Sequence, residues 1–272
     1  MRVVLTDFDA SERRIWAGRA EAYAESFGKL CAHPVPRLLD AARVRDGVRV
    51  LDVGTGTGTA AAAACARGAR VTGVDAEISM VDLAARSVPS AEMHLAELPR
   101  LPFSEGLFDA VTANFVLNHV GRPKAALAEL RRVVRPGGWV AVTIWAAPAA
   151  AGQTLLDRAV QAAGTSRPPH LPGLAPEDDF ARTVTGLTGL LASAGLKDAT
   201  CEPLHWDHHT TAAAWWRGAA DGIGTIGQTV LSRPEHVRAE IERHFHRISA
   251  EFATPEGHLA LPHAALLAHG RR

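Results

Sequence analysis

The chain has 272 residues, and its 29 Lys plus Arg are balanced by 29 Asp plus Glu with no strongly basic block. That length suits one large α/β domain or a domain with an added cover, and the even charge argues against a nucleic-acid partner. No apolar run is long enough to span a membrane, and the acidic, arginine-dotted N-terminus does not read as a leader. Cys31, Cys65 and Cys201 are too scattered for a metal site, so free thiols and a cytoplasmic location are expected, with no metal.

In chain order, the first predicted element is a helix from Ser11 to Cys31, capped by Ser11. Its Ile15, Trp16, Tyr23, Phe27 and Leu30 recur at roughly helical intervals. Pro34 and Pro36 interrupt the pattern, and Arg37 to Ala42 resumes it. The apolar, β-branched run Val48 to Val53 predicts a buried strand, which contains Asp52 and leads into Gly54, Gly56 and Gly58. An alanine-rich helix, Thr59 to Arg67, follows. Glycines at such a turn admit left-handed backbone and close ligand approach, and the helix behind them offers free N–H groups. A nucleotide-like cofactor is the expectation. Thr59 stands where a dinucleotide fingerprint has its third glycine, which counts against NAD or NADP.

A second short strand, Val71 to Val74, ends at Asp75, 21 residues after Gly54. An acid there can accept both ribose hydroxyls, although Asp75 alone also reads as a helix cap. A fourth strand is expected from Val111 to Val116, with Asn114 at its carboxyl end and His119 just beyond. Asn114 taken alone also reads as a cap. A helix then ends at Arg135-Pro136-Gly137-Gly138, and a fifth strand runs from Trp139 to Ile144. Helices are predicted at Ala149 to Ala163 and Thr183 to Ala194, with a proline-rich loop, Arg167 to Pro176, between them. Thr200 to Trp206 and Leu259 to His269 read as the last two strands. The insert separating them, Thr210 to Ala253, carries helical segments broken by Gly218, Gly222, Gly224 and Gly227.

Four segments carry a family likeness. VLDVGTGTG (Val50 to Gly58) resembles motif I of the class I S-adenosylmethionine (SAM) methyltransferases, (D/E)-x-G-x-G-x-G. Asp75 to Met80 is similar to the family's D-x-S-x-x-M segment, with Glu77-Ile78 departing in spacing. Ala96 to Val111, AELPRLPFSEGLFDAV, resembles its adenine segment, and LRRVVRPGGWVAVTIW (Leu130 to Trp145) its PGG turn and fifth strand. The likeness is strong from Arg45 to Ala147 and points to the ubiquinone/menaquinone-biosynthesis-like branch that acts on small molecules.

The resemblance implies a Rossmann-like, mostly parallel sheet of seven strands, the last antiparallel, with helices on both faces. Residues 45–209 and 254–272 would form the cofactor-binding core. Residues 1–44 and the insert 210–253 would form a helical lid. It implies SAM as cofactor, bound by Tyr23, Asp52, Gly54, Thr55, Gly56, Asp75, Ala76, Met80, Glu97, Leu98, Asn114 and His119. Glu97 would replace the usual Asp that receives the adenine amino group, and Leu98 would offer a backbone N–H to the ring. Met80 would pack on the adenine, or else serve only the core. Tyr23, Phe27, Trp206, Trp215, Trp216 and Ile226 are candidate acceptor-pocket residues, against the alternative that paired tryptophans merely fill a core.

The expected reaction is methyl transfer to a small hydrophobic or aromatic acceptor in bacterial specialised metabolism. His119 is the candidate base, ahead of His208, His209 and His263. Two other chemistries fit the same residues: a cyclisation or rearrangement on a SAM fold, and C-methylation in quinone biosynthesis.

Overall fold

The computed structural model describes residues 5–272; residues 1–4, the start of the expected 1–44 segment, lie outside them. Along the chain come helices α1 (Asp7–Trp16), α2 (Ala20–Glu25), α3 (Phe27–Cys31) and α4 (Val35–Ala41), then strand β1 (Arg49–Val53). Next are α5 (Thr59–Ala66), β2 (Arg70–Asp75), α6 (Ile78–Ser87), β3 (Glu92–Leu95) and β4 (Phe108–Asn114). After a short 3₁₀ turn, Val116–His119, follow α7 (Pro123–Val133), β5 (Val134–Trp145), α8 (Leu155–Ala162), α9 (Val184–Ser193) and β6 (Lys197–Thr210). Helices α10 (Ala212–Ala220), α11 (Gly224–Leu231) and α12 (Glu235–Ser249) precede the last strand, β7 (Leu259–Arg271).

The strands form one seven-stranded sheet in the order β3-β2-β1-β4-β5-β7-β6. β1 pairs in parallel with β2 and β4, β4 with β5, and β7 runs antiparallel to both β5 and β6. The strand order therefore reverses at β1, and the crevice beyond the carboxyl ends of β1 and β4 is where such sheets bind ligands.

Alternation along the strands divides the core in two. Leu51, Val111, Val140 and Val142 face one layer with Leu127 and Leu130 of α7 and Leu187 and Leu191 of α9. Val50, Ala110 and Ala141 face the other, against Leu38 and Leu39 of α4 and Ala60, Ala61 and Ala64 of α5. A third cluster joins Leu155 and Ala159 of α8, Trp215 and Ala219 of α10, Val230 of α11, and Ile241 and Phe245 of α12. Those helices sit beyond the β6–β7 ends, with Leu259 and Leu261 beneath them.

Several boundaries differ from the sequence expectation. The helix expected from Ser11 to Cys31 is three short ones. Its cap is Thr6, whose side chain accepts from the Asp9 N–H while Asp9 returns a bond to the Thr6 backbone; Ser11 lies inside α1, buried. The break follows Gly18, at φ 69°. Pro34 and Pro36 start a helix rather than stop one, because Pro is tolerated where first-turn N–H groups lack partners. The fifth strand begins at Val134, so Arg135 to Gly138 belong to it and not to a helix end. α8 begins at Leu155, six residues later than Ala149, and β6 extends past both predicted limits. Gly218 and Gly227 lie within α10 and α11, not between helices.

Candidate active site

The turn after β1 is built on left-handed glycines. Gly54, Gly56 and Gly58 have φ of 62°, 55° and 90°, a region L side chains enter at a cost. A Cβ on Gly54 would also collide with Val116 Cγ2 from the turn after β4. Beneath the loop, Asp52 is buried and accepts from Thr55 Oγ1 at 2.8 Å and Thr112 Oγ1 at 2.9 Å. Burial pushes its carboxyl up to about 6, against the pull of those two hydroxyls.

Asp75, at the end of β2, accepts the Gly56 N–H at 2.9 Å on one oxygen and the Glu77 N–H at 3.1 Å on the other. Burial raises its pKa, opposed by these backbone bonds. Asp75 is thus no helix cap; Glu77 caps α6 through the Met80 N–H. Asn114 is no cap either: its Nδ2 donates to the Cys31 carbonyl at 2.8 Å, and its Oδ1 accepts from Thr143. This ties α3 to the end of β4.

A cavity of about 1020 Å³ opens above these strand ends, large for a single small ligand. Gly54, Gly56, Asp75, Ala76, Met80, Glu97, Leu98, Asn114 and His119 all line it, as do Tyr23, Phe27, Trp215 and Ile226. Asp52 and Thr55 lie instead on a small adjoining pocket that Tyr23, Gly54, Gly56 and Asn114 share. Glu97 is engaged in an ion pair with Arg13 of α1. Two expected acceptor residues are elsewhere. Trp216 stacks on Phe245 inside the helical cluster, and Trp206 packs behind the wall against His33 and His263. Neither belongs to the cavity lining.

Other lining residues were not expected. Phe115 and Trp145 stack face to face at 4.0 Å, just past the carboxyl ends of β4 and at the end of β5, where the strand-end rule places ligands. From α1 come Glu12 and Trp16, and from the region of α8 come Gln153 and Asp157. No local motif marks these. Burial raises the Asp157 carboxyl, opposed by Arg167.

His119 lies against α1. Its Nδ1 is 2.7 Å from Glu12 Oε2, an oxygen that also accepts the Trp16 indole N–H at 3.1 Å. The imidazole packs edge-on to the Trp16 ring at 5.1 Å. With Nδ1–H donating to the carboxylate, Nε2 keeps its lone pair.

His208 and His263 are buried, at 5% and 2% exposure, and burial first of all pushes each down to about 4. The unfolded chain therefore binds protons on both rings between about pH 6.5 and 4 that the folded chain refuses, and stability falls as pH falls. Asp52 acts oppositely, since its folded carboxyl protonates first, and returns stability below pH 6. At roughly 1.4 kcal/mol per pKa unit, each ring accounts for about 3 kcal/mol. A His208→Gln/His263→Gln variant is expected to lose that part of the acid slope in melting temperature between pH 6.5 and 4. Parallel curves for variant and wild type would remove the two rings from the effect.

Comparison with known proteins fits this geometry. The family described as "Methyltransferase domain" matches residues 51–142, from β1 to β5. Residues 51–142 are thus similar to a methyltransferase domain, over about a third of the chain. Demethylmenaquinone methyltransferase of Renibacterium salmoninarum is 38% identical over 111 residues, covering 41% of this chain and 47% of that protein. The chain thus spans about half the length of the curated relatives it matches.

Among solved structures, the YcgJ protein from Bacillus subtilis superposes with a TM-score of 0.56 at 18% identity, covering 88% of this chain and 98% of its own. The [4+2]-cyclase SpnF does so at 0.50 and 20%, covering 88% and 80%. At such identities these two establish the fold. The three cysteines are free, and among the described residues there is no metal-competent cluster and no helix long and apolar enough to cross a membrane.

Proposed function

We propose that the chain binds SAM and methylates a small, flat, hydrophobic or aromatic molecule. One observation carries this reading: a single cavity joins the Gly54/Gly56/Asp75 end to an aromatic end formed by Phe27, Phe115, Trp145 and Trp215. The first end suits an adenosyl group. Asp75 is a half-buried carboxylate for ribose hydroxyls, Met80 is a soft wall for a purine, and Gly54 and Gly56 bring left-handed backbone to the cavity wall. Asp52 and Thr55, on the adjoining pocket, would support the amino-acid portion beside Asn114.

When bound, SAM supplies an electrophilic methyl carbon. The chain's own residues align the acceptor, exclude water and take up the proton that the nucleophile loses. His119 is the proton acceptor in this reading, because Glu12 holds its Nδ1–H and leaves Nε2 free. Helices α1–α3, with α8 and the insert helices α10–α12, would act as the lid.

Specialised metabolism remains the preferred setting, because the long helical insert builds the acceptor end. The demethylmenaquinone methyltransferases make a quinone the second candidate, but the family match stops at residue 142. Neither α8 nor α10–α12 falls within it.

Calorimetric titration with SAM and S-adenosylhomocysteine, with NAD and NADP alongside, tests the cofactor. Micromolar or tighter binding of the adenosylated pair alone is expected, and binding of NAD or NADP in their place would overturn the reading. Mass analysis of acceptors then separates the chemistries. Methylation adds one methyl and consumes SAM, whereas a cyclase rearranges the acceptor at constant mass.

A further inference from the structure

His263 has no place in the chemistry described above, yet it is 2% exposed and forms part of the cavity wall. It sits on β7, paired across the ribbon with Trp206 of β6. Its Nδ1 lies 2.7 Å from the Leu261 carbonyl oxygen. A carbonyl only accepts, so Nδ1 carries the hydrogen and Nε2 is a bare lone pair. Among the described residues Nε2 has no hydrogen-bond partner, which makes it the polar atom this ring offers to the cavity. Its depressed basicity, at about 4, keeps that lone pair unprotonated through the neutral range.

Gln153 supplies the opposite polarity. Its Oε1 accepts two backbone N–H groups, from Ala150 at 2.9 Å and from Ala264 at 2.8 Å. Two donors on one atom fix the amide orientation, so the other terminal atom is the NH₂ group. Ala264 follows His263 in β7, so this bond draws the carboxamide against the strand that carries the histidine. Gln153 also lines the cavity, and its Nε2 has no protein partner among the described residues.

The surrounding wall is aromatic. Trp215 lies 5.6 Å from the His263 ring and Trp145 6.0 Å from it, and Trp145 is stacked on Phe115.

From this arrangement we infer that His263 and Gln153 form a recognition pair for a hydroxyl on an aromatic acceptor, distinct from the nucleophile that His119 serves. A hydroxyl can donate to a bare imidazole nitrogen and accept from an amide N–H through one atom, and on an aromatic ring it is the compact group that does so. A ketone would leave the His263 lone pair unmatched, and an ammonium would face the Gln153 donor. Strand order supports the separation. His119 follows β4 and His263 belongs to β7, with β5 and its Trp145 between them. The acceptor would be a hydroxylated aromatic molecule held at its far end by this pair. The inference rests on the two-ended reading of the cavity.

The test uses the full chain saturated with S-adenosylhomocysteine. 2-Naphthol, 4-phenylphenol and 1-hydroxypyrene are each titrated by calorimetry against their methyl ethers, which keep the ring but cannot donate. Wild type is expected to prefer at least one free hydroxyl about ten-fold, the value of one buried hydrogen bond. His263→Leu is expected to abolish that preference while binding S-adenosylhomocysteine normally.

No preference in any of the three pairs overturns the inference, as does a preference that survives His263→Leu. Should the variant not fold, wild type with ¹⁵N-labelled histidine gives the answer. The preferred hydroxyarene is expected to shift the His263 Nε2 resonance and its ether is not. An unmoved resonance excludes the contact. Loss of S-adenosylhomocysteine binding by wild type would instead strike at the cofactor reading, before any arene is added.

Discussion

Replacing Asp75 with alanine is expected to weaken SAM binding by roughly 100- to 10,000-fold. Asp75 is the half-buried acid at the end of β2, on the cavity wall and bonded to the glycine loop through the Gly56 N–H. Two ribose hydroxyls on one carboxylate make charge-assisted bonds of roughly 1.5–3 kcal/mol each, and each 1.4 kcal/mol is a factor of ten. The carboxylate also anchors the Gly56 N–H and the Glu77 N–H, so its removal loosens the loop that shapes the site. Asp75→Asn keeps one acceptor oxygen and should fall between wild type and alanine. Calorimetry with S-adenosylhomocysteine measures both. A folded Asp75→Ala variant within three-fold or so of wild type would take Asp75 out of the cofactor site.

The second large effect belongs to the proton. His119→Ala is expected to lower kcat by roughly 100- to 10,000-fold, the range for removing a positioned base, with cofactor affinity little changed. The shape of the pH–rate profile should change in the variant, because the group that takes the proton sets that shape. Glu12→Gln should give a milder defect, because the amide carries no charge to stabilise the imidazolium yet still accepts from Nδ1–H. A purely structural His119 would alter melting temperature without touching the shape of the pH–rate profile. An unchanged rate and profile in His119→Ala would end its role as base.

How much of this was legible beforehand follows from where each signal is stored. β1, β2 and β4 are largely buried on both faces, so they write themselves as short β-branched runs that carry Asp52, Asp75 and Asn114 at or next to their ends. The glycine loop was equally plain, because only glycine tolerates its backbone. β3 went unplaced because Glu92, Met93, His94 and Leu95 form an edge strand that is mostly exposed and has no apolar alternation. Helix starts were misread where proline opens a helix instead of closing one, as at Pro34.

The acceptor end was the least legible part. Trp206, Trp215 and Trp216 are equally aromatic in sequence, but only Trp215 reaches the cavity, since tertiary packing decides which face of α10 and β6 looks inward. Glu12 and Gln153 act through contacts more than a hundred residues away in sequence, Glu12 with His119 and Gln153 with Ala264, and nothing local announces them.

The last two strands pair all the way to Thr210 and Leu259, directly opposite each other. Everything between them leaves and re-enters the sheet at points one strand spacing apart, roughly 4.8 Å. The strand pairing thus fixes the distance between the ends of the intervening chain, and its helices are held by packing on α8 and on Leu259 and Leu261 of β7. Changes within α10–α12 that keep this packing are expected to leave the β1–β2 and β1–β4 registers that hold the glycine loop intact. The fold behaves as a fixed handle with a partly exchangeable tool head: α10 and α11 supply one wall of the acceptor end, through Trp215 and Ile226, while Phe115, Trp145 and His263 stay with the strands.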